Sequence, residues 1–210
     1  MNDFTNVIVK YRYTIPMPDR YKSYNEVLYD WTNTKFKTLY TGHIGLLVCP
    51  YFFVKGKDYI YCQVLIDVEG KPNTKTAYEY AYKLRAKYPW LTVEYTGKSG
   101  FHLASNFLVK IQKDETPVIR NKILDPLNLD YSIVDKTSSI RSMPTIRIGK
   151  VSKDRFAFPV LSEWNYEEFE KHRYDKSFEN ILTPEQLKSY IEEFILPNKI
   201  ISYKQYLNLT

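Results

Sequence analysis

The reading of the fold is decided by Ile60–Gly70, IYCQVLIDVEG, an apolar run that ends by placing Asp67 and Glu69 two positions apart. A strand turns successive side chains to opposite faces, so the two carboxylates project side by side from one face. Leu65 shares that face while Val64, Ile66 and Val68 line the other, a pattern that predicts a buried central strand with its polar pair at the carboxyl-terminal end. Like charges this close drive a proton onto one carboxyl unless a cation lies between them. With Mg²⁺ or Mn²⁺ present, both stay ionised and become oxygen ligands. A solvated turn after a strand is the plainer account of the same short Asp-x-Glu-Gly, so the neighbouring segments have to decide between the two.

Upstream, the apolar segment from Gly42 to Val54 reads as a second buried strand interrupted by Pro50, and Gly56-Lys57-Asp58 turns it back onto the Asp67 strand. Further upstream, Asn6–Thr14 alternates as a strand or extended arm before Pro16 and Pro18. Residues 21–40 carry Tyr24, Val27, Leu28 and Trp31 at helical spacing. Downstream, Lys71-Pro72-Asn73 leads into a helix with the stripe Ala77, Tyr80, Ala81, Leu84 and Tyr88, capped by Asn73 or Thr74 and stopped by Pro89. Leu91, Val93 and Tyr95 alternate as the next strand, Thr96–Gly100 turns, and alternation resumes from Phe101 to Ile111. On that last strand His102 falls opposite Phe101 and Leu103, on a face with Ala104 and Asn106, as a surface or locally hydrogen-bonded residue or as part of a site.

Residues 113–130 read as a loop with Pro117 and Pro126, ending in Leu129-Asp130. Arg141, Pro144, Arg147 and Lys150 then interleave with apolar residues, which describes either a strand facing phosphates or a charged sheet edge. From Glu163 onward the pattern is helical, with Thr183-Pro184-Glu185-Gln186 as a capping box. No internal repeat or linker divides the chain, so one domain over residues 1–210 is expected, with 40–150 bearing the motifs and 163–210 a helical part.

The 210 residues suffice to bury a full core, and the net charge of +6 with a pI near 9.0 favours an anionic partner such as nucleic acid or nucleotide. Twenty tyrosines, eleven phenylalanines and three tryptophans offer stacking surface for bases, although a core absorbs most of them. With only Cys49 and Cys62 present and His43, His102 and His172 scattered, neither a disulfide framework nor a zinc site is expected. No signal-peptide apolar region opens the sequence, and no apolar run approaches the ~20 residues of a membrane span, so a cytoplasmic, reducing location without membrane attachment is the expectation.

Taken together, three segments resemble the archaeo-eukaryotic primase superfamily of primase catalytic subunits and primase-polymerases. Ile66-Asp67-Val68-Glu69 resembles its first motif, a strand ending in Asp-x-Asp or Asp-x-Glu. Thr96-Gly97-Lys98-Ser99-Gly100-Phe101-His102 resembles its Ser-Gly-x-x-Gly-x-His turn, with Thr for Ser. Leu129-Asp130 followed by Arg141, Pro144 and Lys150 resembles its third, an apolar residue and Asp followed by a basic residue, Pro and Lys. The likeness covers residues 40–150; residues 1–35 and 160–210 have no counterpart.

The resemblance implies an α+β (α/β) fold, a mixed sheet flanked by helices with an RRM-like half, and a DNA primase or DNA-directed polymerase acting through a two-metal Mg²⁺ or Mn²⁺ site. Asp67, Glu69 and Asp130 would be the metal-binding catalytic carboxylates, Asp130 being preferred to Asp135, whose polar surroundings suit a local cap. Lys98, Ser99, His102, Arg141 and Lys150 would hold the dNTP or NTP triphosphate. Single-stranded DNA template and primer would be bound through phosphates, with a helicase or other replication subunits as further partners. The rival from another class is a non-catalytic single-stranded nucleic-acid-binding or primase-accessory subunit, which explains charge and aromatics but not adjacent carboxylates. De novo priming, dNTP or NTP preference, oligomeric state and membership of a larger replication protein are left open by the sequence.

Overall fold

A computed structural model of the chain describes residues 6–13, 25–28, 46–112, 119–134, 141–142, 157–174, 197 and 199–210. Its strands are β1 (Val7–Tyr13), β2 (Asn25–Leu28), β3 (Leu46–Val54), β4 (Tyr59–Val68), β5 (Leu91–Tyr95), β6 (Phe101–Gln112), β7 (Arg141–Ser142), β8 (Phe158–Val160) and β9 (Ile200–Ser202). The helices are α1 (Thr74–Lys87), α2 (Ile119–Leu124), which runs into a 3₁₀ turn at Asp125–Leu127, α3 (Tyr166–Arg173) and α4 (Tyr203–Leu207). Among the described residues, nine strands join one open sheet in the order β2-β1-β3-β4-β6-β5-β8, with β7 also on β3 and β9 also on β6. Every pairing is antiparallel except β6 with β9. The class is therefore α+β, with a largely antiparallel sheet.

As its apolar run requires, β4 is central, with β3 on one edge and β6 on the other. Val64, Ile66 and Val68 are fully buried, while Leu65 and Asp67, and Glu69 just beyond the strand, keep part of their surface exposed. Helix α1 starts at Asn73, whose side-chain oxygen accepts the Thr76 N–H at 2.9 Å, and it buries Thr74, Ala77, Tyr78, Ala81 and Leu84. The core joins that stripe to the apolar faces of β4, β5 and β6, to Phe169 of α3 and to Tyr206 of α4. Burying an aromatic of that kind contributes about 2–3 kcal/mol. Asp67, Glu94 and His102, one row of cross-strand partners, consequently share the opposite face.

Two irregularities shape the sheet. Along β1–β3 the register slips between Val9 and Tyr11, opposite Cys49–Tyr51, so Pro50, which has no N–H to give the ladder, falls within the bulge. Along β4–β6 it slips between Gln63 and Leu65 opposite Ser105–Phe107. There the Ser105 hydroxyl receives the Val64 N–H at 3.1 Å and donates to the Phe107 carbonyl at 2.7 Å, while Gln63 Nε2 donates to the Ser105 carbonyl at 2.9 Å. Gln63 and Ser105, both buried, thus replace the ladder bonds that the bulge removes.

Three expectations are corrected. Asn25–Leu28 is strand rather than helix, because pairing with β1 from Ile8 to Tyr11 outweighs a helical spacing carried by few residues. Tyr24 and Trp31 lie outside the described residues. The loop expected over 113–130 contains α2 and the 3₁₀ turn, where Pro126 sits in the first turn and its missing N–H costs nothing. The region from Glu163 is not purely helical, since Ile200–Ser202 adds a parallel strand beside Leu108–Lys110. The helix expected after Thr183 lies outside the described residues.

Candidate functional site

The site is built from one row across three strands. Hairpin pairing sets Glu94 of β5 opposite His102 of β6, and the β4–β6 ladder sets Asp67 opposite the same histidine. The imidazole therefore lies between two carboxylates, with Nδ1 3.3 Å from Glu94 Oε1 and Nε2 3.5 Å from Asp67 Oδ1. Burial is graded along the row: the side chain of Glu94 is 3% exposed, that of His102 9% and that of Asp67 19%. The row opens at Asp67. Glu69, just beyond the end of β4, is more open and pairs with Lys71.

The Thr96–Gly100 turn closes when both the Thr96 N–H and its hydroxyl donate to the Gly100 carbonyl, at 3.1 and 3.0 Å. Gly97 has φ +78°, a left-handed conformation open to glycine at little cost. The turn then lies directly on the end of β4. A Cβ on Gly100 would stand 2.5 Å from the Val68 carbonyl oxygen, and one on Gly70 would stand 2.3 Å from Ser99 Cβ. Ser99 is thereby fixed beside Gly70, next in the chain to Glu69, and the Lys98 side chain is exposed at the tip.

Behind the turn, the Tyr95 hydroxyl donates to the Lys98 carbonyl at 2.7 Å, and Arg173 of α3 donates Nε to the Tyr95 oxygen at 3.0 Å and Nη2 to the Lys98 carbonyl at 3.4 Å. Arg173 Nη1 also donates to Glu170 at 2.7 Å. Partial burial works against the Arg173 charge, but the Glu170 hydrogen bond and the Tyr95 contacts outweigh it and the guanidinium pKa is raised. A fixed cation thus braces the turn from the core side.

Of the remaining expected site residues, Asp130 lies among those whose side chains are described. The Asp130 N–H donates to the Tyr80 hydroxyl of α1 at 2.8 Å, the Glu69 N–H donates to the Ile133 carbonyl at 2.9 Å, and Val134 bridges Val68, so the Asp130–Val134 turn is docked on the end of β4. Its carboxylate, however, accepts the Ser132 hydroxyl at 2.6 Å and the Ser132 N–H at 2.9 Å. Those bonds, the hydroxyl first, hold its pKa below the ordinary carboxylate value. Among the described residues no three His, Cys, Asp or Glu groups are gathered to hold a metal ion, so Asp130 is not joined to Asp67 and Glu69 in such a cluster. Asp135 and Lys150 lie outside the described residues. Arg141 opens β7, paired with Val48 on the β3 edge that β4 also uses.

Sequence reasoning missed Glu94, Arg173 and Tyr80 as parts of this region. The first was accessible once the hairpin around Thr96–Gly100 was counted, because pairing Tyr95 with Phe101 puts Glu94 opposite His102. No protein-family model matches the chain, and no curated protein sequence matches it. No described helix is long and apolar enough to cross a membrane.

Proposed function

We propose that the chain is a metal-dependent nucleotidyltransferase that makes a primer, extends one on a single-stranded DNA template, or does both, from nucleoside triphosphates. One arrangement supports the reading: Asp67 stands near the end of β4 with Glu69 two residues on, His102 lies directly across from Asp67, and the glycine turn packs on the same strand end. Each of the first two primase-like motifs thus meets the other in space. The split unit β4–α1–β5, with β6 paired between its strands, agrees with an RRM-like half. A single domain, a cytoplasmic location, a DNA template and helicase or replication partners belong to the same proposal.

Mg²⁺ or Mn²⁺ suits the donor chemistry of Asp67 and Glu69, hard oxygens that are both partly exposed. When bound, such ions neutralise phosphate charge and clamp the attacking and leaving oxygens. For Glu69 to serve, its ion pair with Lys71 has to open, and for Asp130 to serve, its carboxylate has to leave Ser132. In this reading Lys98 and Ser99, on a turn braced by Arg173, present cationic and hydroxyl groups to a triphosphate, and His102 adds a ring nitrogen next to Asp67. Arg141 and Lys150 are proposed as further phosphate contacts.

The test is incubation with single-stranded template, Mn²⁺ or Mg²⁺ and labelled nucleotides, with and without primer. Asp67→Asn should leave the folded spectrum intact and lower synthesis by more than about 100-fold, the upper end of what even outer-shell changes cost. Parent-level synthesis by Asp67→Asn with Glu69→Gln refutes the site. Template binding without synthesis by the parent protein identifies a single-strand-binding subunit instead.

A further inference from the structure

Glu94 belongs to none of the three motifs, yet it is 2% exposed and stands at the closed end of the polar row. A buried carboxylate is stable only with hydrogen-bond partners, and here Glu94 Oε1 meets His102 Nδ1 at 3.3 Å. If the carboxylate is ionised its oxygen can only accept, and the contact is then a hydrogen bond with the proton on Nδ1. Nε2 is then the ring nitrogen turned to Asp67 Oδ1, 3.5 Å away. Because the three residues are direct cross-strand partners on adjacent strands, backbone pairing fixes the order Glu94, His102, Asp67.

We infer that Glu94 is a positioning residue, which holds His102 with Nδ1 protonated and Nε2 presented beside Asp67. Without Glu94, the carboxylate left at the ring is Asp67. The neutral imidazole would then carry its proton on Nε2 and donate it to Asp67 Oδ1, occupying an oxygen that the nucleotidyltransferase reading reserves for a divalent cation. The part played by Asp67 rests on that reading, whereas the state of Nδ1 does not. Partners that set a histidine tautomer behind a metal or substrate site change affinity by about 10–100-fold when removed.

Proton–nitrogen correlation NMR of the imidazole rings in the full chain tests this at one fixed pH, with His102→Gln assigning the signals. The parent should show a protonated Nδ1 on His102. Glu94→Leu should show it unprotonated, with the proton on Nε2, while Glu94→Gln, which keeps an acceptor oxygen, should retain the parent pattern. An unprotonated Nδ1 in the parent overturns the inference without any variant, and so does a protonated Nδ1 in folded Glu94→Leu. Mn²⁺ alone, titrated into the same samples, should broaden the His102 signals at a concentration at least about tenfold lower for the parent than for Glu94→Leu. If Mn²⁺ leaves the parent signals sharp, the metal reading of Asp67 fails while the Nδ1 result stands by itself.

Discussion

Gly100→Ala is expected to be among the costliest single-methyl additions in this chain. The added Cβ would sit 2.5 Å from the Val68 carbonyl oxygen, 0.9 Å inside the 3.4 Å at which ordinary contact begins, with the Gly70 nitrogen at 3.3 Å. Both neighbours are backbone, so no side chain can rotate away, and the turn has to lift off the end of β4. Overpacking of this kind costs about 3 kcal/mol at the upper end of its usual range, which lowers Tm by about 6–12 °C in a chain of this length. Gly56→Ala separates sterics from backbone conformation: its φ is +74° but nothing lies within 4 Å of the new methyl. There only the left-handed backbone is penalised, at about 1 kcal/mol, or about 2–4 °C. Thermal unfolding followed by far-UV circular dichroism ranks the two. A Gly100→Ala protein melting within about 2 °C of the parent, or one more stable than Gly56→Ala, would refute the close approach of turn and strand.

Asp130→Asn and Asp135→Asn distinguish the two candidates for a third metal carboxylate. With its charge already engaged by Ser132, Asp130 is expected to lose stability rather than synthesis when changed, and retention of Mn²⁺-dependent activity in Asp130→Asn, measured by primer extension, checks it. The Asp130 carboxyl, followed by carbon-detected NMR, should titrate below the ordinary value of about 3.9, and Ser132→Ala should raise the midpoint, since the Ser132 hydroxyl is the main cause of the depression. By linkage the stability from this group is present above the unfolded value and is lost as pH falls through the folded one. At the alkaline end, burial raises the pKa of Tyr206, whose hydroxyl donates to the Ile123 carbonyl. Its contribution is therefore present below about pH 10 and declines as pH rises further, and Tyr206→Phe should flatten that decline in urea titrations at successive pH values.

Where sequence spelled out both an element and its surroundings, the structure follows it. The Asp67 strand was legible because it is an apolar run of strand length bounded by turn residues, and α1 because Asn73 and Pro89 mark its ends. Asn25–Leu28 was not, since four residues satisfy helix and strand spacing alike and the deciding partner, β1, is remote in sequence. Ile200–Ser202 is shorter still, and a parallel pairing leaves no hairpin turn to announce it. At Asp130 the local hydrogen bonding was not legible. Its apolar neighbours suggested a strand end, but Ser132 two residues on offers the hydroxyl and N–H of a local turn, the role expected for Asp135. Glu94 was hidden because a polar residue in an alternating strand looks solvated until the register shows what it faces.

The Arg173 brace makes the ends of the chain a splint for the motif-bearing part. The turn Thr96–Gly100 contains no apolar side chain to anchor it, and the groups that hold its inner carbonyl come from Tyr95 and from a helix 75 residues downstream. A fragment cut at residue 150 would keep every motif yet lose Arg173, Phe169 and Tyr206 together, two fully buried aromatics and the guanidinium beneath the Lys98 carbonyl. Transplanting the motifs into another sheet would meet the same deficit. A designer who wants the turn in its present shape has to carry the tail along with it.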